Sequence, residues 1–381
     1  MDNAQNQKSG LYRLGVGVLC LISIGLTCAL LGMVLTGKSD PGKSVQQSSV
    51  DMALMDRYDM VMTNVVSDAL DGVLAIEKVY WLNDDELIAP EPNQANFGET
   101  NDPSTLGWLI EEAQELLDGQ ELLFNTKMWL PWGEKVMYYL DETIFAITWK
   151  QIINEMMYTI SEIKIADPSQ FRRFLAGGEY GSDKQFTTTE MAATVNAVVA
   201  SSGDFYKFRQ LGTIVYDGIV RRVNSEYVDT CFINDKGQLL FNRAGEITDM
   251  ETAQKFVDDN NIRFSLAFGP ILIENHEKNR IWFYKLGEIE DDYPRAALCE
   301  KDDLHYLLVT VNEQGSLEET PTITEFRDVV YTFNVKNAYA LDGGQTAVIA
   351  MNDKLINRVH FGYQRKISDI IYFATAMPNG G

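Results

Sequence analysis

Residues 337–351 read Asn337-Ala338-Tyr339-Ala340-Leu341-Asp342-Gly343-Gly344-Gln345-Thr346-Ala347-Val348-Ile349-Ala350-Met351. Two apolar runs, Asn337–Leu341 and Thr346–Met351, flank an acid and two glycines, which predicts two strands joined by a tight turn. A carboxylate at the end of a buried strand, followed by glycines, stands beside open backbone amides. That setting suits acid, base or nucleophile chemistry on a polar substrate. The plain alternative is a glycine turn capped by aspartate.

Working outward, the β-rich texture begins near residue 120. Strands are expected at Val136–Tyr139, Ile144–Trp149, Met157–Ile165, Leu211–Tyr216, Asp229–Asn234, Gln238–Asn242, Leu266–Ile273, His305–Asn312 and Ile370–Thr375. Short helices are expected from Asp167-Pro168 through Ala176, from the Thr187–Glu190 capping box to near Val199, and over Glu325–Phe333. Helices and strands do not alternate regularly. The predicted fold class is therefore α+β, a mixed β-sheet domain with packed helices over residues 120–381.

Ahead of it the chain changes character. A tail (1–13) precedes an uncharged run (14–37) rich in Ile, Leu, Val and Gly. About 24 residues at 1.5 Å each reach across a bilayer, so one transmembrane anchor is expected. No A-x-A-like site follows, which argues against a cleaved signal peptide. Lys8 and Arg13 before the run balance Lys38 and Lys43 after it, so charge leaves the orientation nearly tied. Residues 38–50 are a polar linker. Gly37–Ser44 spells a phosphate-loop pattern, but it follows the apolar run, not a buried strand, and contains Pro41. Residues 51–119 are expected to form a helical stalk or membrane-proximal region, with Leu54, Tyr58, Val61 and Val65 on one face and a second helix opened by Asp102-Pro103.

Composition limits the chemistry. A net charge of −23 argues against nucleic acid as a partner, and any anionic substrate must be drawn in by a local cluster of arginines. The three histidines (His276, His305, His360) are scattered, which disfavours a His-based metal centre or a Ser-His-Asp site. No cofactor and no metal are implied, although Asp342 and Asp204 are of a type that binds one. Cys20 and Cys28 fall in the apolar run, and whether Cys231 and Cys299 pair is open.

Three further segments stand out beside the Asp342 turn. Ser201-Ser202-Gly203-Asp204-Phe205-Tyr206 is a turn after an apolar helix end. Ser265-Leu266-Ala267-Phe268-Gly269-Pro270 is an apolar strand broken by Gly-Pro. Pro294-Arg295-Ala296-Ala297-Leu298 carries an arginine into an apolar stretch, where it needs an anion from the protein or a substrate. Arg365-Lys366-Ile367-Ser368 precedes the last strand.

In this order the segments resemble the phosphodiester glycosidase family: an N-G-D-F-Y-like turn, an S-F-G-P strand, an R-T-A-I-G segment, an L-D-G-G turn and a final R-x-x-S. The resemblance spans about residues 155–376. It implies a hydrolase that cleaves a sugar-1-phosphodiester at the glycosidic carbon–oxygen bond. It carries over Asp342, Gly343, Gly344, Arg295, Gly203, Phe205, Arg365 and Ser368. With their neighbours, the candidate catalytic residues are Asp342, Arg295 and Asp204, and the candidate substrate-binding residues are Ser202, Gly203, Phe205, Tyr206, Gly343, Gly344, Gln345, Thr346, Arg365 and Ser368. Glu179 and Glu190 compete with Asp204 as the second carboxyl. The pattern departs from the family at Ser202 for asparagine, at Gln345-Thr346-Ala347 for Gly-Ser-Ser, and at Ala296 and Cys299 for threonine and glycine. The resemblance also implies a domain on the outer side of a cell membrane, acting on glycan or surface polysaccharide. A non-catalytic envelope protein that binds glycan or serves as a scaffold is the alternative.

Overall fold

A computed structural model describes residues 81–378 apart from 84–85, 282–290, 314–316 and 318. The expected tail, membrane anchor, linker and first part of the stalk lie outside the described residues. Among the described residues, no helix is long and apolar enough to cross a membrane.

Three sheets of nine, five and five strands make up the described fold. The centre of the largest runs Ile144–Ile153, Met156–Ile165, His305–Asn312, Arg295–Asp302, Asn337–Leu341. Side chains alternate across this sheet with period two. Ala338 and Ala340 join one core with Phe145, Trp149, Tyr158 and Val309. The helices Pro103–Glu112 and Ile323–Tyr331 bury Leu106, Leu109, Phe326 and Val330 in that core. Tyr339 and Leu341 face the other way, against Val199, Ile349 and Ile371 of one five-stranded sheet and Cys231, Phe264 and Leu266 of the other.

The expectation of an α+β fold with a mixed sheet is corrected by this arrangement. The fold is mostly β, and the pairings between neighbouring strands of all three sheets are antiparallel. The reason lies in burial. His305–Asn312 is buried along its whole length, and such continuous runs usually come from parallel sheets covered on both faces. Here an antiparallel sheet is covered on both faces, by helices on one side and by sheets on the other.

Several elements also differ from expectation. The helix expected through Ala176 is a single 3-10 turn, Pro168–Gln170, followed by the strand Phe171–Leu175, which pairs with Asp369–Phe373. Asp167 and Gln170 make a capping box, but the β-forming residues after it follow their strand partner. The helix after Thr187 has the expected capping box and ends at Thr194. The strand Val199–Ser202 then begins. The expected strand Leu266–Ile273 is two strands in different sheets, Ile262–Leu266 and Ile271–Glu274, parted at Gly269-Pro270. Cys231 and Cys299 are free, buried thiols in two separate cores.

Candidate active site

The turn after Leu341 carries the chain from the nine-stranded sheet into a five-stranded one, where Ile349–Met351 pairs with Val199–Ser202. That strand also pairs with Asp369–Phe373, with Ser202 opposite Ile370. The registers therefore bring three chain segments to one sheet end: 202–205, 342–347 and 365–369. Ser202 Oγ donates to the Thr346 carbonyl, and Ser201 Oγ donates to that of Val348 at 2.9 Å. Gly343 and Gly344 allow the turn to lie against the preceding strand of the large sheet. A β-carbon on Gly343 would collide with the Pro294 carbonyl, which instead accepts from Gly344 N at 2.9 Å. Gly344 takes φ 64°, a conformation that favours glycine.

Beneath the turn lies a buried ion cluster. Arg173 Nη2 stands 3.0 Å from Asp204 Oδ1 and 2.9 Å from Asp369 Oδ2, while Nε donates to Asp369 Oδ2 at 3.0 Å. Nη1 donates to the Ser265 carbonyl. Asp204 is fully engaged. Its Oδ1 accepts from Tyr206 N and its Oδ2 from Ala267 N, each at 2.8 Å. Burial raises Asp369 to about 7 against the pull of Arg173, and the Asp204 carboxylate adds to the rise. Burial opposes the charge on Arg173, but the two aspartates more than offset it and hold its pKa above the usual arginine value.

Above the cluster the chemistry changes. Asp342 is partly buried, and its Oδ2 is sealed from solvent without a hydrogen-bond partner among the described residues. Burial raises it to about 6, the Thr346 hydroxyl and the charges of Arg209 and Arg365 pull it down, and Asp204 pushes it up. Arg209 lies over the Phe268 ring at 4.5 Å and the Phe205 ring at 5.9 Å. Arg365 lies over Phe205 at 5.0 Å and Phe208 at 5.5 Å. Phe205 and Phe208 stack at 4.8 Å. The rings fix both guanidinium planes without neutralising them. Arg209 Nη1, Gln345 Nε2 and Ser368 Oγ are also buried without a hydrogen-bond partner among the described residues. Buried polar atoms are normally satisfied, so this concentration of exceptions marks a place for a polar ligand.

The structure therefore brings Asp342, Gly343, Gly344, Gln345, Thr346, Ser202, Gly203, Phe205, Arg365 and Ser368 together. Asp204 and Tyr206 stand in the supporting layer, where Tyr206 lies under Arg173 at 5.4 Å. Arg295 begins the strand beside the Asp342 turn, and its Nε and Nη2 donate to the carbonyls of Pro321 (3.3 Å) and Asp291 (2.5 Å). Glu179 is exposed, and Glu190 is occupied in capping Thr187. Sequence reasoning missed Arg209, Arg173 and Asp369. Arg209 lies four residues after Phe205 in the quoted turn and Asp369 directly follows Ser368, so both were within reach of it. Arg173 was hidden in the expected helix.

Residues 194–374 match the family model for phosphodiester glycosidase. Through this region the chain is similar to the phosphodiester glycosidase family. The match supports a glycosidase-type hydrolase as the class of this domain. The chain is 21% identical over 198 residues to an SPbeta prophage-derived uncharacterized protein of Bacillus subtilis (strain 168), covering 50% of this chain and 30% of that one. The chain thus spans less than a third of that relative. A hypothetical protein from Synechocystis shares the fold at TM-score 0.50 and 14% identity, over 65% of this chain and 64% of that one. The catalytic domain of zebrafish N-acetylglucosamine-1-phosphodiester alpha-N-acetylglucosaminidase, auto-inhibited by its pro-peptide, aligns at TM-score 0.48 and 16% identity, over 69% of this chain and 93% of that one.

Proposed function

We propose that the domain hydrolyses a sugar-1-phosphodiester at the anomeric carbon, as in N-acetylglucosamine 1-phosphate esters of a glycan. One observation carries the reading: the unpartnered Asp342 carboxyl oxygen lies within the field of two guanidinium groups fixed by aromatic rings. The arginines suit a phosphodiester anion, and the carboxylate suits a carbon gaining positive charge.

In the reaction the C1–O bond to phosphate breaks and its electron pair stays on the phosphate oxygen. Water supplies the oxygen of the new C1–OH, and its second proton goes to solvent or to the released phosphomonoester. A phosphate ester is a weak base, so the leaving group needs little protonation. Asp342 acts in its ionised form, against the oxocarbenium-like carbon, as the carboxylates of other glycosidases do. Arg209 and Arg365 hold the phosphate, and Gln345 Nε2 and Ser368 Oγ donate to its oxygens or to the sugar hydroxyls. In this reading Asp204, although a candidate for catalysis by sequence, acts with Arg173 and Asp369 to position the loop that carries Phe205 and Arg209.

The test is incubation of the full-length protein with a panel of N-acetylglucosamine 1-phosphate esters. Free sugar and phosphomonoester are expected, with release abolished in Asp342→Asn. Glycan binding without turnover across the panel would instead favour a non-catalytic glycan-binding protein.

A further inference from the structure

The Asp342 turn has a second flank. Where Thr346 meets Ser202 on one side, Gly344 meets Tyr293 on the other. A β-carbon on Gly344 would lie 2.6 Å from Tyr293 Cε1, so the ring lies directly over this glycine. Tyr293 continues into an aromatic strip, with its ring centroid 6.0 Å from that of His360, which is 3.9 Å from that of Phe361. His360 Nδ1 lies 2.9 Å from Glu313 Oε1, which pins the strip. Phe361 is held at φ 61° and ψ 5°, a conformation rarely taken by a bulky residue, and its side chain is 72% exposed. The fold thus adopts a costly backbone geometry to present an apolar ring to solvent at the end of the strip that starts over Gly344. Strain of this kind clusters at ligand clamps.

We propose that Tyr293 and Phe361 form the platform on which the sugar ring of the substrate stacks. The inference rests on the reading of the domain as a sugar-1-phosphodiester hydrolase. A pyranose has an apolar C–H face that packs on the negative face of an aromatic ring, while its hydroxyls stay solvated at the edge. The two flanks divide the substrate. Arg365 and Arg209, packed on Phe205, lie with the 202–209 segment and suit the phosphate, whereas the aromatic strip lies with the Tyr293 segment and suits the neutral ring. Asp342 lies on the turn between them, where the anomeric carbon joins sugar to phosphate.

The test uses the full-length protein and the methyl ester of N-acetylglucosamine 1-phosphate. Phe361→Gly, which suits the positive φ, separates loss of the ring from a backbone effect. It is expected to raise KM about tenfold, with kcat changed by less than about threefold, and Phe361→Trp is expected to keep KM low. Inhibition by inorganic phosphate should be unchanged in both. An unchanged KM in Phe361→Gly combined with Tyr293→Leu would overturn the platform, as would a matching loss of phosphate inhibition. A second readout does not depend on turnover: saturation transfer from protein aromatic protons to the sugar C–H protons of N-acetylglucosamine 1-phosphate, lost in Phe361→Gly. Transfer without turnover of the ester would retain the platform and defeat the hydrolase reading. Turnover without transfer would do the reverse.

Discussion

Gly203 leaves the space that the Asp369 carboxylate occupies: a β-carbon at position 203 would overlap Asp369 Oδ2. The carboxylate uses that approach to accept from Asp204 N at 3.2 Å while it holds Arg173, and Gly203 N donates to the Asp369 carbonyl at 3.1 Å. The glycine of the Ser202–Phe205 turn is thus a packing requirement of the ion cluster beneath the site. Gly203→Ala should cost about 3 kcal/mol, the upper end of the range for overpacking, and lower activity with it. Urea unfolding followed by circular dichroism checks the first, and unchanged stability would show that the cluster yields.

Among the described residues, Arg173 is the cation that pairs with both buried carboxylates, Asp204 and Asp369. Arg173→Met should destabilise the fold by about 3–5 kcal/mol, because it leaves buried charge unpaired. Arg173→Lys should recover little, since Nε and Nη2 act together. The loss should shrink as pH falls to about 7 and below. Removing the arginine takes away what lowers the Asp369 pKa, so in the variant this carboxyl takes up its proton at higher pH and no longer needs a counter-charge. Unfolding curves at pH 4.5 and 8 distinguish this from a simple cavity, whose cost would not vary with pH.

Asp342 couples activity to stability. Its folded pKa of about 6 exceeds the unfolded value of 3.8, so the folded state holds the proton more tightly between these values. Folding stability therefore falls as pH rises through that window, and the full cost is present above about pH 6. Asp342→Asn should abolish turnover yet raise stability at pH 8 by at most about 3 kcal/mol, with no gain below pH 3.8. Thermal melts across pH, run beside the activity assay, check both halves.

The arginines should appear in the pH profile as well as in the rate. If ionised Asp342 is the active form, kcat/KM rises with pH and levels off above about 6. Arg209→Ala or Arg365→Ala should each lower kcat/KM by roughly 10²–10³-fold through loss of phosphate contacts. Each should also move the acid limb to higher pH, because both cations lower the Asp342 pKa. A rate loss with an unmoved limb would place the arginine away from the carboxyl.

Much of the site was legible because its pieces are short and locally determined. Asp342-Gly343-Gly344 follows a buried strand, and the glycines are required by contacts with Pro294 and Tyr293 that no other residue would permit. The Ser202–Phe205 turn and the Arg365–Ser368 segment belong to the same ordered pattern. Arg209 was less visible, since an arginine in a polar loop has no periodicity, and the nearer of its two rings, Phe268, is about 60 residues away. Arg173 was concealed by its context. Asp167-Pro168 starts a helix in sequence terms, and the strand that follows exists because Asp369–Phe373 is available to pair with it.

By itself the sequence determined the strand content around Asp342, the glycine turn and the family pattern, because each depends on neighbours in the chain. Only the tertiary structure decided that the sheets are antiparallel and that Asp204 faces Arg173 while Asp342 faces Arg209 and Arg365. The physical reason is that strand pairing and ion pairing act across long sequence separations. A carboxylate's role is set by the dielectric and the charges around it, and those are assembled only when the sheets close over one another.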